Sequence, residues 1–64
     1  MSDTEQLAEL LAKLTAVTER IIRDRDHARQ IDDPNVRDEV EAYIKGLQRT
    51  AQDLAAQIAV LKAA

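Results

Sequence analysis

Sixty-four residues without a cysteine make at most one domain, and they exclude disulfides and thiolate metal sites as its supports. A chain this short buries little of the surface it exposes when unfolded, so a partner chain is the support that remains. The 9 basic and 12 acidic residues leave a formal charge of −3, which favours solubility and gives no general pull toward DNA or anionic membranes.

Ala, Leu, Glu, Gln, Arg and Lys dominate, all good helix formers, while Gly46, Pro34 and Tyr43 are the single glycine, proline and aromatic residue. Strand signals are absent, so the expected class is all-α. The opening "MSDTEQLAELLAKL" places acids before its apolar residues. A secretory signal would have a basic start, a continuous apolar run and a cleavage site. No apolar stretch approaches the ~20 residues that span a bilayer. A cytoplasmic location without membrane association is expected.

Helix 1 is predicted over about residues 3–31. Ser2-Asp3-Thr4-Glu5 fits a capping box, with Ser2 accepting from the backbone of Glu5. Leu7, Leu14, Ile21 and Ala28 then occupy one heptad position, and Leu10, Val17, Asp24 and Ile31 the other. Asp24 is the one charged residue in that stripe. Leu11, Thr18 and Ile22 widen it beyond a two-helix seam.

The corner is "IDDPNV". Asp33 suits an N-cap and Pro34 a first helical residue, where a missing N–H costs nothing. The turn is therefore placed at 32–33, short enough for antiparallel neighbours.

Helix 2 is predicted over about residues 34–62, with Val36, Val40, Tyr43, Leu47, Ala51, Leu54, Ile58 and Leu61 on its apolar stripe. Val36, Leu47 and Ile58 repeat every eleven residues, a spacing that favours nearly straight or slightly right-handed packing. Ile44, Ala55 and Val60 broaden the face. Folding at Asp32–Asp33 makes facing residues sum to roughly 66, given the equal rise of two helices. Leu7 then meets Ala59, Leu10 meets Ala55 and Ala56, and Leu14 meets Ala51 and Gln52, large against small.

The whole chain, 1–64, thus reads as one antiparallel two-helix hairpin. Its apolar stripes are wider than two helices can cover on each other, and two hairpins closing into a four-helix bundle are the simplest solution. The expected oligomer interface is Leu7, Leu10, Leu11, Leu14, Val17, Ile21 and Ile22 from helix 1, with Tyr43, Ile44, Leu47, Leu54, Ile58 and Leu61 from helix 2. Tyr43 is expected to fill core or interface. Gly46, unfavourable in a helix interior, is expected to admit the close approach of another helix.

The stretch "IIRDRDHARQIDDP" holds dense charge and the single histidine. Asp24 and His27 have the i, i+3 spacing of a carboxylate–histidine metal element, but no further inward carboxylates accompany them. The simpler expectation pairs Asp24 with Arg20 and leaves His27 at the surface, with no metal or cofactor. Arg20, Arg23, His27 and Arg29 form the candidate partner or nucleic-acid surface. Small antiparallel bundles that bind structured RNA use such faces, but interleaved aspartates and the lack of a stacking aromatic weigh against that partner here. Glu9–Lys13, Glu19–Arg23, Asp33–Arg37 and Glu41–Lys45 are acid-before-base pairs at i, i+4, as on a solvated helix face.

No cysteine nucleophile, glycine-rich phosphate loop or concave pocket supports catalysis. The expected function is non-catalytic: assembly, adaptor or inhibitor work through helix–helix contacts, as a homo-oligomer, with a dimer favoured, or with a heterologous protein partner. The alternatives are a small regulator that binds nucleic acid and a minor structural component of a larger assembly such as a viral particle.

Overall fold

The computed structural model describes residues 2–63, which form two helices, α1 (Asp3–Arg29) and α2 (Pro34–Ala63). They pack against each other as a hairpin, and the described residues include no strand. The molecule measures 47 × 15 × 14 Å. Thirty residues of helix rise about 45 Å, so the two helices lie side by side along nearly the full length.

Local signals set the helix ends. Ser2 Oγ accepts from the Glu5 N–H at 3.2 Å, and Asp3 and Glu5 put negative charge in the first turn, where the helix dipole favours it. At the corner, Asp33 Oδ1 accepts from the Asn35 N–H at 2.9 Å. The last ordinary helical residue of α1 is Arg29, two residues before the expected end. The N–H groups of Gln30 and Ile31 still bond back, to His27 and Ala28 at 3.0 and 3.2 Å, but three residues away instead of four. This tightened final turn makes the connection Gln30–Asp33 instead of 32–33.

The seam follows heptads on both helices. Leu7, Leu10, Leu14, Val17, Ile21, Asp24 and Ala28 are the inward positions of α1, and Ile31 continues the row into the connection. On α2 the matching ladder is Arg37, Val40, Ile44, Leu47, Ala51, Leu54, Ile58 and Leu61, with Gln48 half-buried beside it. The expected eleven-residue repeat is not the one used, and Val36 and Tyr43 lie outside the seam. Tyr43 and Ile44 are adjacent, about 100° apart around the helix, so only one can point inward. Ile44 keeps α2 in heptad step with α1, and the seam then stays in contact along its length.

The residues that face each other also differ from expectation. Leu10 clusters with Leu54 and Ile58, flanked by Leu7, Leu14, Val17 and Leu61. Ala55, Ala56 and Ala59, expected opposite the leucines, are exposed. Leu10 therefore meets large residues, while the sum of roughly 66 is kept, since Leu54 and Ile58 straddle position 56; α2 differs from expectation in its rotation and not in its displacement along the axis. Among the described residues the buried hydrophobics are Leu10, Ala28, Ile44, Leu54 and Ile58, and no side chain reaches complete burial.

Candidate interaction surfaces

A two-helix seam leaves two flanks, and three observations define them. The Arg20 guanidinium lies over the Tyr43 ring, 5.4 Å from its centroid. Gln6, Leu10, Gln57, Val60 and Leu61 line a shallow groove at the open end. These residues share the first flank. Near the turn, Arg25, Arg29, Arg37, Glu41, Lys45 and Gln48 border a wider groove floored by Ala28 and Ile44. That groove belongs to the second flank.

The heptad carries each flank along the rod. On the first, Arg20 heads a row with Lys13 and His27, and Glu9, Arg23 and Asp53 lie just outside it. On α1 this flank is charged along most of its length, while on α2 it presents Val36, Tyr43, Thr50, Gln57 and Val60 with Glu39 and Asp53 beside them. On the second, Arg25 continues as Thr18 and Leu11, and Arg29 as Ile22, Thr15 and Ala8. From α2, Gln48 continues as Ala55, and Lys45 as Gln52 and Ala59. Beyond its turn-end groove, this second flank is uncharged until Lys62.

The threonines of the second flank are turned inward on their own helix. Thr15 and Thr18 donate their hydroxyls to the carbonyls of Leu11 and Leu14 at 2.9 and 2.8 Å. Each hydroxyl proton is thereby satisfied locally. Leu11 and Ile22, on either side of these threonines along the helix, remain 44% and 57% exposed.

The expected interface residues divide accordingly. Leu10, Ile44, Leu54 and Ile58 are buried within the hairpin itself. Leu7, Leu14, Val17, Ile21, Leu47 and Leu61 are half-buried along the same seam. Leu11 and Ile22 stand free on the uncharged flank, and Tyr43, 49% exposed, stands on the charged one. Tyr43 is therefore not hairpin core, although its ring packs under Arg20.

The four residues of the candidate partner or nucleic-acid surface are not brought together. Arg20, Arg23 and His27 lie on the first flank, and Arg29 lies on the second. Arg20 is engaged twice, over Tyr43 and with the Asp24 carboxylate at 3.9 Å. Asp24 satisfies its half-buried position in this way, and no group of three or more potential metal ligands gathers among the described residues. Arg29 pairs with Asp26 at 3.8 Å.

None of the four expected i, i+4 pairs closes to within 4 Å among the described residues. Exposed pairs of long side chains gain too little to hold one geometry. Arg37 has a different role. Its Nε donates to the Ile31 carbonyl at 3.1 Å, and Nη2 donates to the same oxygen. The sequence signal for this was the basic residue at the fourth helical position after the Asp33 cap, which reads equally well as an ion pair with Asp33.

Gly46 is exposed, and a methyl group built on it would meet nothing within 4 Å. The expected close approach of another helix does not occur within the hairpin. No described helix is long and apolar enough to cross a membrane. Searches of protein-family models, curated proteins and solved structures found no match to this chain.

Proposed function

We propose that this chain is a non-catalytic helical interaction module that folds and works as a homodimer, two hairpins closing into a four-helix bundle. The observation that supports this reading most directly is the surface left uncovered. The hairpin exposes 4944 Å². A compact monomer of 7.2 kDa exposes about 4,100 Å² by the usual scaling with mass. The excess is about 800 Å², which is what one partner contributes to a stable interface of standard size. A thin seam with no completely buried side chain supports the same conclusion.

Sedimentation equilibrium over a wide concentration range, with circular dichroism at the same concentrations, tests this proposal. The expected result is a helical dimer that loses helicity on dilution. A monomer at every concentration would overturn it and direct the search to a different protein as the covering surface.

A further inference from the structure

We propose that the second copy docks on the uncharged flank bearing Leu11 and Ile22, with the two turns at opposite ends of the bundle. This rests on the self-association reading and specifies its geometry.

The choice of flank follows from what each would have to bury. Covering the first flank would bury the exposed Val36, Tyr43 and Val60, but it would also desolvate Lys13, Arg20, Arg23 and Glu9 from both copies, and buried charge is costly unless every group finds a partner. The second flank carries no charged residue from Leu11 to Ile22 on α1, or from Gln48 to Ala59 on α2. Its threonine protons are already satisfied, its two large apolar side chains are exposed, and its alanines let helices approach closely. Covering this flank removes apolar area at little polar cost.

The orientation follows from charge. Two copies packed turn to turn would crowd Arg25 and Arg29 against their own counterparts. In the opposite orientation, a two-fold axis crossing the bundle near Thr15 lays α1 antiparallel on the copy's α1. Arg25 then lies by the copy's first turn, where Asp3 and Glu5 supply negative charge. Leu11 faces the copy's Thr18, and the contact is reciprocal, as two-fold symmetry requires.

The chain has no cysteine, so single cysteines report the geometry directly. Variants Thr15→Cys, Thr4→Cys and Ala16→Cys, each checked for unchanged helicity, would be treated with a short bis-maleimide cross-linker. Thr15 lies near the proposed axis, Thr4 lies on the same flank at the open end, and Ala16 lies on the charged flank. The expected result is a covalent dimer as the major product for Thr15→Cys and monomer for the other two. A sedimenting dimer cross-linked through Ala16→Cys, with Thr15→Cys unreacted, would overturn the flank while leaving self-association standing. Efficient cross-linking through Thr4→Cys would overturn the orientation. Monomeric sedimentation of the unmodified chain would remove both the geometry and the homodimer.

Discussion

Arg37 reaches back across the corner and donates from both Nε and Nη2 to the main-chain oxygen of Ile31, the Nε bond measuring 3.1 Å. The carbonyl lies just past the end of α1, where acceptors lack helical partners. One side chain in the first turn of α2 thus closes the end of α1 and fixes the phase at which α2 leaves the turn. Replacing Arg37 with Met keeps much of the stem and removes the donors. The expected loss is about 1–2 kcal/mol, the range for a charge-assisted bond at a partly buried acceptor. Arg37→Lys should recover part of it, since one ammonium cannot reproduce the fork. Urea denaturation of the three proteins checks this; a midpoint unchanged in Arg37→Met would show that the clamp is not structural.

Asp24 occupies a seam position that the heptad otherwise fills with apolar residues, and its side chain is 26% exposed with Arg20 as its partner. The pair is at 3.9 Å and Arg20 is largely solvated, so it offsets little of the cost of a carboxylate at the seam. Asp24→Leu is expected to stabilise the fold by about 1 kcal/mol through apolar burial. A lower melting temperature in that variant would show that the carboxylate contributes more than its contact with Arg20.

Gly46 sits in the interior of α2 with open space where a side chain would begin. Gly46→Ala is expected to raise stability by about 1 kcal/mol by restricting the unfolded chain and favouring helix. Association should be unaffected, because Gly46 lies on the charged flank near Tyr43. A weakened dimer in this variant would place a neighbouring helix against Gly46 and count against the proposed flank.

Leu11→Lys places a charge in the middle of the uncharged flank, and Ile22→Asp does the same nearer the turn. Each is expected to raise the dimer dissociation constant by at least tenfold, at a cost of about 1.4 kcal/mol or more, and to lower helicity at a given concentration. Val60 is 69% exposed but lies on the first flank, so Val60→Lys should leave both quantities unchanged. Sedimentation equilibrium of the three variants separates a flank-specific effect from a general intolerance of added charge.

Much of this architecture was legible from local rules. Ser2 and Asp33 announced two helix starts, Pro34 announced the corner, and the apolar periodicity of the first helix identified the inward positions of α1, Asp24 included, and Ile31 just beyond it. These signals act over one or two helical turns and depend on backbone hydrogen bonding and side-chain spacing, which the chain carries wherever it packs. The phase of α2 was less legible. Val36 and Arg37 are neighbours, as are Tyr43 and Ile44, and a pattern of apolar residues could not choose between faces about 100° apart.

The tertiary structure made that choice, because both ladders must advance at the same rate for the seam to remain closed. It also set which residues of α2 face inward at the open end, putting Leu10 among Leu54 and Ile58 instead of over the alanines. That rotation leaves Ala55 and Ala59 exposed, on the side of the rod that also presents Leu11 and Ile22. The sequence by itself determined two amphipathic helices and a corner, since those depend on near neighbours along the chain. The division of the remaining surface into a charged and an uncharged flank depends on which residues two distant segments bury between them, and only packing decided it.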